Sequence, residues 1–288
     1  MKFFKVHSLG NDFLVMDKVE TRSLSNISSF AGTICDRHTG VGADGLLLIS
    51  IKNKAKGHVN FRIFNADGTE AEVSGNGLRC AAAALYHQKK IDSPQIHFKT
   101  TVGQRECTLI EGKKNVFVLK IEMGIPRLSS KDIPFDDGSP HEKLIDYPLS
   151  INKIIYPITV LSLGNPHCAI FVDRFPDRIE WHQVGREIES HPFFPNRTNI
   201  EFIRKLSRKE IEVIFWERGV GETLSSGSGA CAAAVASILK NLTDKKVKVR
   251  TSMGHLTVEW EKEKVYQTGP AEIVFKGNFI GSYLQNLY

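Results

Sequence analysis

Apolar and polar positions alternate over residues 59–65, with Val59, Phe61 and Ile63 on one face and Asn60, Arg62 and Phe64 on the other. That period of two predicts a strand. Similar short segments recur at 96–102, 104–110 and 115–122, joined by glycine-containing turns, and again at 210–217, 246–251, 255–261 and 271–275. Such close spacing predicts antiparallel meanders rather than strand–helix–strand crossovers. The best two helical stretches are 76–89 and 228–240, both rich in alanine, the strongest helix former.

Those helices reveal an internal repeat. Ser74-Gly75-Asn76-Gly77 leads into the first and Ser226-Gly227-Ser228-Gly229 into the second, with Gly68-Thr69-Glu70 and Gly221-Glu222-Thr223 at similar distances upstream. Small side chains let strands pack closely around a helix. The expected fold is therefore α+β: two pseudo-symmetric domains, each a mixed, mostly antiparallel sheet wrapped around one alanine-rich helix. Residues 1–122 plus 276–288 form the first domain in this reading and 123–275 the second. The segment 124–148, with Pro126, Pro134, Pro140 and Pro148, reads as the linker between halves.

Composition narrows the function. The chain has 288 residues, 41% of them hydrophobic and 24% charged, which suits a globular protein of about two domains. Its apolar runs are too short to span a bilayer, and Gly10-Asn11-Asp12 interrupts the start before a signal-peptide core forms. A net charge of +6 without a basic arm favours a solvated surface over nucleic-acid binding. The five cysteines, Cys35, Cys80, Cys107, Cys168 and Cys231, form no CxxC pair and read as buried free thiols of a reducing cytoplasm. No metal site is expected.

The two Ser-Gly-x-Gly segments carry the candidate chemistry. Serine caps helices and glycine eases the turn before them. Duplicated, they also offer two helix N-termini, whose free N–H groups and partial positive charge can hold a carboxylate and stabilise charge developing beside it. Chemistry at the α-carbon of an amino acid or another carboxylic acid fits. Gly40-Val41-Gly42-Ala43-Asp44-Gly45 has dinucleotide-loop spacing, but the strand-like Leu46-Leu47-Leu48-Ile49 follows where a helix is required. Asn11, Asn65, Asn165 and Asn199 sit in turn-like contexts. With Glu217-Arg218 they can also contact a zwitterionic ligand.

Several segments together resemble the diaminopimelate epimerase family along the whole chain. They are Gly10-Asn11-Asp12-Phe13, Gly40 to Gly45, Phe64-Asn65-Ala66-Asp67-Gly68-Thr69-Glu70-Ala71, Gly75-Asn76-Gly77-Leu78-Arg79-Cys80, Gly164-Asn165-Pro166-His167, Arg197-Thr198-Asn199 and Glu217-Arg218-Gly219-Val220-Gly221-Glu222-Thr223. The resemblance implies a cofactor-independent isomerase of lysine and peptidoglycan-precursor synthesis, cytoplasmic and homodimeric. It implies that Asn65, Asn165, Asn199, Glu217 and Arg218, with Asn11 nearby, hold the distal end of diaminopimelate. The backbone at Gly75-Asn76 and Gly227-Ser228 would receive the reacting carboxylate. Gly45 stands where some members carry glutamine. In that family two cysteines serve opposite faces of the α-carbon, at positions that are Ser74 and Ser226 here, while His167 and Glu217 match residues important to proton handling. A serine pair leaves several accounts open: an epimerase altered at both thiols, a natural serine form that epimerises with help, or an isomerase or dehydratase of another acid. A catalytically silent amino-acid-binding protein is the non-enzymatic alternative.

Overall fold

The computed structural model describes residues 1–280. The chain divides into two compact units, Met1–Ile121 with the chain from Gly269 onward, and Glu122–Thr268. Of the return segment expected over 276–288, residues 281–288 lie outside the described residues.

The first unit runs β1 (Lys2–Ser8), β2 (Asn11–Asp17), α1 (Ile27–Cys35), β3 (Gly45–Asn53), β4 (His58–Asn65), the short β5 (Glu70–Ala71), α2 (Gly75–His87), β6 (Gln95–Thr100), β7 (Gly103–Lys113) and β8 (Val116–Gly124), whose end enters the second unit. The second unit adds β9 (Leu144–Ile151) and then repeats the plan. It runs β10 (Ile154–Ser162), β11 (Pro166–Phe171), α3 (Arg178–Glu189), β12 (Asn199–Ser207), β13 (Glu210–Glu217), the short β14 (Gly221–Thr223), α4 (Gly227–Leu239), β15 (Lys246–Thr251), β16 (Gly254–Glu261) and β17 (Lys264–Asn278).

Pairing repeats as well. β2 runs parallel to β3 across α1, and β4 parallel to β6 across α2. In the second unit β11 runs parallel to β12 across α3, and β13 parallel to β15 across α4. The expectation of meanders without crossovers is corrected at these four pairs; the remaining registers are antiparallel.

Each unit buries a helix that has almost no polar face. Ala81 to Ala84 of α2 and Ala230 to Ala236 of α4, with Cys231 and Val235 among them, are fully buried. A helix apolar all round requires cover on every side, and alanine lets that cover come close. The sheets carry a second apolar layer. Phe30, Ala31 and Ile34 of α1 pack with Leu14, Leu46 and Phe64. Trp181, Val184 and Ile188 of α3 pack with Ile200, Phe202 and Trp216.

Two further expectations are corrected. The proline-rich segment is more than a linker, since Ile133 and Phe135 lie in the core of the second unit with Leu144. The strands do not form two separate sheets either. β17 pairs with β16 in one unit and with β1 in the other, and the ladder is one 17-stranded network. No helix among the described residues is long and apolar enough to cross a membrane.

Candidate active site

In the first unit Ser74 caps α2. Its backbone is extended, φ −138° and ψ 124°, and its Oγ accepts from the Gly77 N–H at 3.1 Å. Gly75, Asn76 and Gly77 are buried beneath it. A chain of hydrogen bonds fixes this turn. Arg79, fully buried, donates to Asn76 Oδ1 and, at 3.1 Å, to Ser8 Oγ. Asn76 Nδ2 donates to Asn11 Oδ1 at 3.1 Å, and Asn11 Nδ2 to Asp44 Oδ2 at 2.8 Å. Asp44 also accepts from Arg37, which reaches Asp12 at 2.7 Å, and Lys5 reaches Asp12 at 2.5 Å. Burial alone would raise the Asp12 carboxyl, but hydrogen bonds from Arg37 and Lys5 hold it down at about 2. The glycine loop 40–45 thus joins an ion network rather than a nucleotide cradle.

In the second unit Ser226, buried, caps α4 and accepts from the Gly229 N–H at 3.2 Å. Gln267, also buried, donates to Gly227 O at 2.6 Å and steadies the helix start. Glu217, at the end of β13, accepts from Thr223 Oγ1 at 2.6 Å. Burial pushes its carboxyl up, opposed by the Thr223 bond, the His167 ring and the neighbouring Ser226 hydroxyl. Ser226 therefore has a carboxyl group beside it. The side-chain bond of Ser74 is the one to Gly77.

His167 Nδ1 lies 2.7 Å from Glu201 Oε1, and its Nε2 lies 3.0 Å from Asn165 Oδ1. Asn165 Nδ2 makes a long 3.5 Å contact with Ser228 Oγ in the first turn of α4. Asn199 ties strands together: its Nδ2 donates to Pro166 O at 2.8 Å and its Oδ1 accepts from the Arg218 N–H at 3.0 Å. One amide hydrogen of Asn199 is left for other contacts. The Arg218 guanidinium is exposed and rests on Asn196 O at 3.0 Å.

The first unit thus joins Asn11, Gly75 and Asn76 at the Ser74 helix start. The second joins Asn165, His167, Glu217, Gly227 and Ser228 around Ser226, with Asn199 and Arg218 on the adjoining strand ends. Asn65 stands apart, exposed and bonded to Thr69 at 2.9 Å within its own turn. A Cβ at Gly45 would stand 2.6 Å from Phe64 O, so a side chain there requires β3 and β4 to shift. All five cysteines are free and buried, and burial raises the Cys80 thiol, which leaves it protonated beside the helix start. No cluster of His, Cys, Asp and Glu among the described residues suits a metal.

Sequence reasoning missed Arg79, Glu189, Glu201 and Gln267. Glu189 accepts from Trp216 Nε1 at 2.7 Å and from the Gly219 N–H at 2.9 Å, which holds the turn after Glu217. Glu201 alone left a sequence signal, as the one acidic residue among the apolar positions of 200–203.

The model of the family described as diaminopimelate epimerase matches residues 3–128 and 159–274. A diaminopimelate epimerase of Pelotomaculum thermopropionicum is 42% identical over 97% of this chain and 99% of its own length. Another, of Moorella thermoacetica, is 39% identical over 97% and 99%. Among solved structures, a hydroxyproline epimerase from Agrobacterium vitis matches with a TM-score of 0.64 at 13% identity, over 96% of this chain and 90% of that one. A methylitaconate-delta-isomerase matches at 0.59 and 11%, over 100% and 99%; both likenesses concern the fold alone. A family model that takes in both halves, with relatives this similar from end to end, places the chain in the diaminopimelate epimerase family of cofactor-independent amino-acid epimerases and isomerases.

Proposed function

We propose that this protein binds diaminopimelate and exchanges the proton on its α-carbon, interconverting the LL and meso forms slowly. The observation that carries this reading is the pair of serine-capped helix starts, one per unit, each with buried glycine backbone behind it. A carboxylate is received by free N–H groups at Gly75-Asn76 and Gly227-Ser228, where the helix dipoles also stabilise charge spreading from the α-carbon. The distal carboxylate pairs with Arg218, and the distal amine meets the polar groups of Asn65, Asn165, Asn199 and Glu217. Asn11 positions Asn76. Inversion requires one proton acceptor and one donor on opposite faces of the α-carbon. Ser226 accepts through Glu217, which takes the hydroxyl proton as the hydroxyl takes the substrate proton; Ser74 delivers from the other face. The same reading takes the working form as a homodimer.

The unequal surroundings of the serines favour a second reading. A hydroxyl needs an adjacent base to serve as an acceptor; a carboxyl stands beside Ser226, while the Ser74 hydroxyl is bonded to the Gly77 N–H. A one-sided reaction, in which a proton leaves and returns on one face, suits that arrangement, as does isomerisation of a related acid.

Solvent deuterium exchange distinguishes these readings. Deuterium at the α-carbon with inversion supports epimerisation. Deuterium without inversion supports the one-sided reaction. Binding without exchange identifies an amino-acid-binding protein. Arg218→Ala removes a charge-assisted contact and should weaken diaminopimelate binding by about 10- to 150-fold in calorimetry; unchanged affinity refutes this assignment of the distal carboxylate.

A further inference from the structure

Glu201 belongs to no role described above, yet it is 1% exposed beside a His167 that is 0% exposed. Strand geometry explains the meeting. β11 and β12 run parallel, with His167 opposite Asn199 and Ala169 opposite Glu201. Asn199 and Glu201, two residues apart, share one face of β12. On β13, Phe215 lies opposite Glu201, and Glu217 is two residues further along. The first turn of α4 covers this face: a Cβ on Gly229 would stand 2.9 Å from both Glu201 Oε1 and Phe215 Cδ1.

Packing alone is a poor account of this glutamate. A buried carboxyl is strongly unfavourable unless paired, and a well-packed apolar residue often serves stability as well or better. Glu201 Oε2 has no hydrogen-bond partner at all. The other oxygen is spent on His167, whose second ring nitrogen faces Asn165 Oδ1 at 3.0 Å. An amide oxygen only accepts. Nε2 therefore carries a hydrogen, whichever of Nδ1 and Oε1 holds the proton between them.

We infer that Glu201 is a positioning residue that fixes His167 with its hydrogen on Nε2, and thereby orients Asn165 and the first turn of α4 toward the ligand. The ligand's identity rests on the reading proposed above; the state of the ring does not. His167 is then a donor, and acceptance of a proton falls to Glu217. The charged groups around the ring are Glu201 on β12 and Glu217 on β13; Cys168, next along β11, interacts with Glu201. From β10 the residue opposite is Leu161. Ser228 of α4 reaches the ring through Asn165. Burial raises the Glu201 carboxyl, and the His167 charge and hydrogen bond oppose that rise.

The test uses the full chain labelled with 15N-histidine, with His167 assigned by the signal lost in His167→Asn. In the unaltered chain the spectrum of His167 should show the hydrogen on Nε2, the nitrogen that faces Asn165 Oδ1. Glu201→Gln should keep that form, because its amide donates to Nδ1. Glu201→Leu should release the ring into mixed tautomers and weaken diaminopimelate binding about tenfold in calorimetry, with most of that loss restored in Glu201→Gln. An unprotonated Nε2 in the unaltered chain overturns the inference, as does an unchanged ring in Glu201→Leu. Should the leucine variant fail to fold, the spectra of the unaltered chain and of Glu201→Gln decide. If the ring behaves as stated but the unaltered chain does not bind diaminopimelate, the positioning role stands and the substrate reading falls.

Discussion

Serine is a good helix cap and a poor acid. A thiol has a pKa near ~8.5, which a helix N-terminus lowers further, so that it exchanges protons near neutral pH. Ser74→Cys and Ser226→Cys together should raise α-proton exchange on the order of 100-fold or more. Ser74→Cys alone should help more than Ser226→Cys alone, because Ser226 already has Glu217 beside it. The two changes should be strongly non-additive, as expected of groups acting as a unit. Deuterium exchange and stereoisomer ratios of all four combinations at one pH measure this; equal and additive gains would refute it. Asp12 gives a prediction about stability. Its carboxyl is lowered from 3.8 to about 2 in the folded chain. A lowered acid stabilises the fold above its unfolded value and loses that contribution as pH falls toward the folded one. Asp12→Asn should therefore destabilise by roughly 2 kcal/mol at pH 7 and by little near pH 2. Denaturant titrations at several pH values check this; a pH-independent loss would mean that the charge of Asp12 contributes nothing. The serines could be read from the sequence because their motif occurs twice. Arg79 could not, and Glu201 only as an acid standing among apolar residues, because nothing local names a partner and only the fold brings Asn76 and His167 to them.

At the scale of elements, both alanine-rich helices could be placed within a residue or two, because their composition and caps agree. The strands with period two, such as β4, β13 and β16, were equally legible. β2, β11 and β12 were not, for a physical reason: each holds four or five consecutive buried residues, since helices cover both faces of the sheet, and of β3 only the apolar run 46–49 stood out as strand-like. A strand buried on both faces loses its alternation and reads as an undifferentiated apolar run. The parallel crossovers were missed with them. The two helix starts are alike in sequence but not in clearance. At Gly229 a Cβ would meet Glu201 Oε1 and Phe215 at 2.9 Å, and Ser226 Cβ at 3.0 Å. At Gly77 the nearest atoms are the ends of Leu47 and Ile63 and the Ser74 Cβ, at 3.3 to 3.4 Å. Gly229→Ala should destabilise by about 1–3 kcal/mol through overpacking. Gly77→Ala should be near neutral, since the helix preference of alanine, about 1 kcal/mol, offsets a small adjustment. Chemical denaturation of the two variants tests this, and equal losses would refute the difference in packing.

At the scale of the molecule, duplication makes each unit nearly self-sufficient, and the exception is β17. Its opening residues complete the second unit against β16, from Glu261 opposite Lys264 to Thr257 opposite Thr268. Its later residues return to the first unit against β1, from His7 opposite Glu272 to Lys2 opposite Asn278. There Ala271 and Ile273 are buried, Asn115 Nδ2 donates to Glu272 at 3.0 Å, and Ser8 Oγ donates to Pro270 O at 2.7 Å. Ser8 in turn receives Arg79, which fixes Asn76 at the Ser74 helix start. The repeat predicts two domains, but the sequence hides that one strand serves both, because Gly269-Pro270 reads as a turn ahead of the strand expected over 271–275, whereas β17 runs through both residues. A chain ending at Thr268 should therefore lose the first unit selectively. β1 would become an unpaired edge with Phe3 and Val6 uncovered, and an exposed edge of this kind is prone to opening and association. The β10–β16 framework keeps its own hydrogen bonds, and hydrogen exchange mapped along the truncated chain should show fast exchange through β1–β4 and α2 with protection retained in β10–β13, α4 and β15. Protection lost evenly across both units would mean that they fold as a single cooperative body. Protection retained in both would mean that the first unit closes without its returning strand.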